Sequence, residues 1–355
     1  MTKTAWAGRV VLVTGGASFI GSHLVAELVR RGAAVRVVDD LSTGRRENLV
    51  PEIVGEGVEL RVGDLRRPEH ARAACDGVET MFHLAADHGG RGYVDRFQAG
   101  PAANLSLDGA VLREAVSSGV DKVVFASSGC VYPNALQGDP TQAVYLAEDQ
   151  VGPPFDPDHM YGWAKLSAEL TLQAYHRELG LKAVSCRYFT VYGPRAREDH
   201  AVTAMIARAF VRQEPFEVWG NGDQVRNWTY VDDIVEGTLL AAERIDDASA
   251  VNLGTMERIT VRQAAALIQE LSGHRVPIVP RPDMPTGPLN RVADCGRARR
   301  VLGWRPRTPF AEGLRRTVEW YFSTKDRLEV MRLLERGALM KPPAPSRAVE
   351  LDRAA

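Results

Sequence analysis

Eight residues, Thr14-Gly15-Gly16-Ala17-Ser18-Phe19-Ile20-Gly21, constrain this chain more than any other segment. They follow a short apolar run at 9–13 and lead into an amphipathic stretch at 21–31. A glycine turn between a buried strand and a helix lets backbone come close to phosphate. The free N–H groups and the dipole of the helix N-terminus then favour an anion there. Gly15 makes the tight turn in this reading, and Gly21 lets the helix lie close to the sheet. Ser18, Phe19 and Ile20 open the helix and are candidates to meet a cofactor pyrophosphate. Ser18 stands where such turns usually carry their middle glycine. Taken alone, the turn also reads as a glycine-rich bend without a ligand.

The surrounding pattern narrows the choice. Short apolar runs at 35–38, 60–62, 80–84 and 122–126 alternate with helical stretches, among them 103–118. Such alternation predicts an α/β fold with a doubly wound parallel sheet of Rossmann type, its strands apolar on both faces. The second half is less regular, with strands near 182–187 and 250–253 and helices near 202–213, 231–243 and 260–272. We therefore expect a cofactor domain over 1–186, with 232–254 returning to it. A smaller C-terminal substrate-binding lobe should comprise 187–231 and 255–330, and 331–355, rich in Pro, Ala and charge, should form a mobile tail.

Asp39 supports a dinucleotide. It ends the second strand, 18 residues after Gly21, where a carboxylate accepts hydrogen bonds from the adenosine ribose and repels a 2′-phosphate. That favours NAD over NADP, although Arg45 and Arg46 follow. Asp64 and Leu65, after the third strand, are placed to meet the adenine; capping a helix is the other reading of Asp64.

Tyr161 and Lys165 lie four apart in YGWAK and share a helix face. A lysine ammonium there is expected to lower the tyrosine pKa and make the phenol a usable base. Ser128, in the SSGC segment that closes the fifth strand, sits at the carboxyl edge where ligands bind and can hold the same substrate oxygen.

The rest of the sequence sets bounds. Among 355 residues the net charge is -1, which gives no electrostatic reason to expect nucleic acid. The sequence shows neither a run of about 18 apolar residues nor a secretory leader, so we expect no membrane partner. The four cysteines, Cys75, Cys130, Cys186 and Cys295, are widely spread and form no Cys-x-x-Cys pair. We expect neither a disulfide framework nor a metal, and a cytoplasmic location.

In order along the chain, TGGASFIG, DDLSTG, HLAAD, SSGCVYP, YGWAK, RYFTVYGP, WGNGDQVRNWTYVDD, NLG and LGW resemble the extended short-chain dehydrogenase/reductase superfamily, in its nucleotide-sugar epimerase and dehydratase branch. The resemblance covers about 8–323. It implies a tightly held NAD, contacts to it from Ala85, Tyr161 and Lys165, and a transient 4-keto sugar. Within the branch, AADHGGRGYVD and SSGCVYP resemble the GDP-mannose 3,5-epimerases. There the likeness implies a substrate loop at His88, Gly89 and Gly90 and an acid/base role for Cys130; a small buried apolar residue is its other reading. The second acid/base of that family is a lysine, and His200, next to Asp199, falls at its place. His200 otherwise reads as an ordinary surface histidine. Thr190 replaces a usual asparagine in the substrate site, and His88 replaces an apolar residue. Arg226 and Arg291 resemble diphosphate clamps, with plain surface solubility as the alternative. Asn104 resembles a residue that orders the site. The implied partner is a nucleotide-diphosphate sugar, and the implied assembly a homodimer. A 4-epimerase is the alternative activity; a 4,6-dehydratase or a non-catalytic NAD sensor fits less well.

Overall fold

The structure is a computed structural model that describes residues 5–49 and 57–336. Seven parallel strands form its main sheet. They are β1 (Val10–Thr14), β2 (Ala34–Asp39), β3 (Val58–Val62), β4 (Thr80–His83), β5 (Lys122–Ser128), β6 (Lys182–Tyr188) and β7 (Asp247–Leu253). Their order across the sheet is β7-β6-β5-β4-β1-β2-β3. β1 pairs with both β2 and β4, so the chain winds outward from the centre in two directions. That reversal opens a crevice at the carboxyl ends of the strands, where ligands settle in such sheets.

Neighbouring residues of one strand feed opposite cores, because side chains alternate across a sheet. Val11 and Val13 join Val35, Val37, Val124 and Val184 on one side. Leu12 joins Val38, Met81, Val123 and Phe125 on the other. The first face is covered by helices α1 (Phe19–Arg30) and α5 (Val231–Arg244), through Leu24, Val25, Leu28, Ile234 and Leu239. The second is covered by α2 (Pro68–Cys75), α3 (Asn104–Ser117) and α4 (His159–Leu179), through Ala71, Val111, Leu112, Ala168 and Leu172. Burying each Val, Leu or Ile side chain among these contributes about 1.5–3 kcal/mol, which is why the strands read as unbroken apolar runs.

A third core builds the smaller lobe. Helices Ala201–Phe210, Val261–Ser272 and Phe310–Thr324 pack around Phe216, Trp228 and Tyr321. The Val261 helix starts at a capping box: the Thr260 hydroxyl accepts from the Gln263 N–H, and the Gln263 side chain accepts from the Thr260 N–H.

The structure corrects the expected tail. Residues 331–335 belong to a helix, Arg327–Glu335, whose start is capped by Asp326 accepting from the Glu329 N–H at 2.9 Å. Its Val330 is buried in the third core, so packing overrides the polar composition. The remainder of the tail lies outside the described residues.

Gly21 is fixed by close approach. A Cβ on it would run into the Gly15 carbonyl oxygen and the Gly16 Cα. Gly21→Ala should cost about 1–3 kcal/mol, as overpacking does. Gly109→Ala, on open helix surface, should instead stabilise by about 0.5–1 kcal/mol. Thermal denaturation of both variants checks this, and equal midpoints for the two would contradict it.

Candidate active site

The crevice opens into two adjoining cavities of about 280 and 370 Å³, which share Ser18, Thr43, Leu84, Ala86 and His88. The smaller is lined by Gly15, Asp39, Asp64, Leu65 and Ala85. The Asp39 carboxylate accepts from the N–H groups of Ala17 (3.0 Å) and Leu41 (2.9 Å). Burial pushes its pKa up to about 6, against the pull of those two donors. For Asp64 burial also raises the pKa, but the Arg66 guanidinium, 2.7 Å away, outweighs it and holds the carboxyl below its ordinary value.

The glycine turn resolves the question posed by Ser18. Its hydroxyl donates to the Gly15 carbonyl at 2.5 Å, so the side chain folds back onto the turn itself. Phe19 and Ile20 line the larger cavity, and Gly21 packs beneath the turn. A buried chain sets the floor. The Thr14 hydroxyl accepts from Leu84 and Ala85 N–H, each at 3.1 Å. It therefore donates to His83 Nδ1 at 2.7 Å, which leaves His83 Nε2–H to donate to Asp108 at 3.0 Å. Asn104 clasps the next turn, accepting from the Asp87 N–H at 2.6 Å and donating to the Asp87 carbonyl at 2.9 Å.

The larger cavity gathers Ser128, Cys130, Tyr161, Lys165, Thr190, His200, Arg226 and Arg291 with His88, Gly89 and Gly90. Tyr161 and Lys165 project from α4 and are 8 % and 1 % exposed. The Lys165 ammonium lies 4.6 Å from the Phe125 ring centroid and 5.7 Å from that of Tyr161. The expected lowering of the Tyr161 pKa by Lys165 does not occur. Burial pushes the phenol far up, Cys130 and Asp108 add to it, and the hydrogen bond with Ser128 opposes. Burial likewise lowers the Lys165 pKa, against Asp108, Cys130 and Glu169. In a dry site desolvation outweighs a spacing rule.

Cys130 follows β5. Its N–H donates to the Ser128 hydroxyl at 3.1 Å. Its sulfur accepts from Arg291 Nη1 at 3.1 Å. Arg291 is not a free fork, since it also donates to Gln137 at 2.7 Å and to Asp158 at 2.9 Å. Arg91 donates to both oxygens of Asp158, at 2.6 and 3.1 Å. Burial alone would raise the Asp158 pKa, but Arg291 and Arg91 hold it well below the carboxylate range. Arg226 donates to the carbonyls of Val225 and Thr286, each at 2.8 Å, and burial with Arg291 and Arg91 nearby brings its pKa down to about 9. Arg91 also pairs with Asp95, so three guanidiniums stand against two carboxylates and leave one positive charge in surplus, which suits a diphosphate. Sequence reasoning gave Arg91 and Asp158 no role. They lie 67 residues apart, so no local spacing reveals the pair.

The glycine loop seats on the 197–200 segment. A Cβ on Gly90 would run into the Asp199 carbonyl oxygen, and the Gly90 N–H donates to the Asp199 carboxylate at 3.1 Å. This contact brings His88 against His200, stacked with centroids 5.3 Å apart, and 4.9 Å from the Tyr161 ring.

Residues 11–254 match the model of the NAD dependent epimerase/dehydratase family. A GDP-mannose 3,5-epimerase of Arabidopsis thaliana is 30% identical over 324 residues, 90% of this chain and 83% of that protein. The crystal structure of a UDP-glucose 4-epimerase from Thermotoga maritima, with UDP-glucose, is 32% identical, with a TM-score of 0.78 over 89% of this chain and 99% of that one. The Thermus thermophilus UDP-glucose 4-epimerase, in complex with NAD, is 32% identical, with a TM-score of 0.76 over 89% and 100%.

Asp39 gives this site a pH signature. Its pKa is higher in the fold than in the unfolded chain. Its contribution to stability is therefore full below the unfolded value near 4 and is lost as pH rises through about 6. The ligand-free protein should lose about 2–3 kcal/mol from this group between pH 4 and 7. Asp39→Asn should not show that loss, and denaturant midpoints at pH 5 and 7.5 compare the two. The same pH dependence in both proteins would contradict the assignment.

Proposed function

The chain belongs to the NAD-dependent epimerase/dehydratase family and is an NAD-dependent nucleotide-sugar epimerase; we propose that it works through a transient 4-keto sugar, in the manner of a GDP-mannose 3,5-epimerase. The observation that carries the finer reading is Cys130. It stands in the larger cavity beside Ser128 and Tyr161, with a guanidinium on its sulfur.

The residues present fit NAD. Asp39 and Asp64 line the smaller cavity for the adenosine half, and the start of α1 with its folded-back Ser18 leaves N–H groups for the pyrophosphate. Ala85 lines the smaller cavity next to Ala86, which both cavities share, and Lys165 and Tyr161 would hold the nicotinamide ribose. NAD, when bound, would supply the hydride acceptor.

Tyr161 would take the proton from the sugar hydroxyl at carbon 4, with the Ser128 hydroxyl fixing the same oxygen. Arg226 would hold the diphosphate. Arg291, tied to Cys130 and Asp158, would face both the sulfur and the nearer phosphate. Gly89, Gly90 and Thr190 line the sugar's place. The ketone at carbon 4 acidifies the hydrogens on carbons 3 and 5, and Cys130 would remove or return one of them. Simple 4-epimerisation is the second reading, favoured by the two solved structures above.

Cys130→Ser separates the two. A serine hydroxyl is far less acidic than a thiol of pKa about 8.5 and is a poor proton shuttle near neutrality. With GDP-mannose the variant should keep substrate-dependent absorbance at 340 nm while deuterium uptake from solvent collapses. A Cys130→Ser enzyme that epimerises carbon 4 at nearly the parental rate would contradict the 3,5 reading.

We also propose a cytoplasmic homodimer. The four cysteines are free, three of them buried, which suits a reducing compartment. Trp163 and Leu170 on α4 are 45 % and 42 % exposed, and Leu105 on the adjacent α3 is 43 % exposed. Such an apolar face on two packed helices fits a second copy. Trp163→Glu should convert a dimer to a monomer in light scattering after gel filtration, and an unchanged mass would place the interface elsewhere.

A further inference from the structure

The larger cavity holds an imidazole pair that the roles above do not use. His88 comes from the glycine loop and His200 from the segment before the Ala201 helix, and both line the cavity. Their rings stack at 5.3 Å and 29°. His88 is the inner member, with its ring 4.9 Å from that of Tyr161. His200 is the outer one, with a side chain 27% exposed and its Nε2 3.8 Å from Asp199 Oδ1. That Asp199 oxygen is buried and has no hydrogen-bond partner, whereas Oδ2 takes the Gly90 N–H and Arg197.

We propose that His88 is a second acid/base group beside Cys130, and that His200, backed by Asp199, positions it. This rests on the 4-keto reading above. Tyr161 marks the place of the sugar's carbon 4 oxygen, and His88 abuts Tyr161 from an element other than the turn that carries Cys130. The ring carbons next to the ketone fall within its reach.

The step balances. The C–H bond beside the ketone breaks, its electron pair delocalises into the enolate, and the proton forms an N–H bond on His88. Return of a proton from the Cys130 thiol re-forms the C–H bond on the other face of the sugar. Imidazolium and thiolate then exchange with water through the open side of the site at His200.

The charges around His88 favour a neutral base. Burial pushes its pKa well below the ordinary histidine value, and His200, Arg197 and Lys165 push the same way; Asp199 alone opposes, and the uncharged Tyr161 faces it. Burial also lowers the His200 pKa, but Asp199 and Glu198 pull it back against Arg197. A first proton therefore settles on His200, and a second, on His88, meets a like charge. The imidazole next to the sugar stays ready to accept a proton at and below neutral pH.

The full-length, NAD-loaded enzyme is incubated with GDP-mannose, and separately with UDP-glucose, in deuterated water. Product deuterium is read by NMR and cofactor reduction at 340 nm. His88→Gln should cut deuterium uptake about 100-fold, the usual size of an acid/base contribution, while the 340 nm signal persists. His200→Gln should retain uptake but move its acidic limb to higher pH, because His88 loses a cationic neighbour while Asp199 remains. His200→Lys restores a cation and should return the limb toward its parental position. Parental uptake in His88→Gln, or an acidic limb that His200→Gln leaves in place, would overturn the proposal. Parental enzyme that reduces its cofactor without taking up deuterium would overturn it together with the 3,5 reading. Parental enzyme that shows neither signal with either sugar would instead contradict the 4-keto reading on which it rests.

Discussion

The site depends on one buried ion pair. Glu169, on α4, receives two hydrogen bonds from Arg187 of β6, at 3.0 and 2.8 Å, and a third from the Ser127 hydroxyl of β5. Arg187 also donates to Tyr132 at 3.3 Å and to the Glu148 carbonyl at 3.1 Å. Tyr132 in turn donates to Asn252 of β7 at 2.7 Å. One network therefore ties the helix carrying Tyr161 and Lys165 to three strands of the sheet. Burying two charges is costly unless every lone pair and proton is matched, and here the matching is nearly complete. Glu169 lies one helical turn beyond Lys165, which itself lies one turn beyond Tyr161. Holding that turn at Ser127 holds the phenol at Ser128.

From that anchor the remaining geometry follows. The crevice where the winding reverses gives the cofactor its place. The smaller lobe brings Arg226 and Arg291 over the carboxyl edge of the sheet, and the glycine loop brings Arg91 and His88. Desolvation then sets the chemistry. It pushes Tyr161 and Asp39 up and Lys165 and Arg226 down, so burial weakens the charged form of each of these groups.

Much of this was legible in the sequence where partners are close along the chain or obey a period. The glycine turn, Asp39 at the end of β2 and the four-residue step from Tyr161 to Lys165 are local, and each lies at the crevice. The doubly wound sheet followed from alternating strands and helices. What stayed hidden depends on long closures. Arg291 reaches Cys130 across 161 residues, and Arg91 reaches Asp158 across 67. The upward shift of Tyr161 was hidden because spacing carries no information on burial. The helix at 327–335 was hidden because one buried Val330 outweighs a polar composition.

The central claim is that the site forms a ketone in order to move protons on neighbouring carbons. The most direct measurement is NMR of nucleotide sugars recovered after incubation with the wild-type enzyme in deuterated water. The account predicts GDP-sugar product with deuterium at carbon 3 or carbon 5 and inverted configuration there. Inversion at carbon 4 alone, with no deuterium in the product, would contradict it.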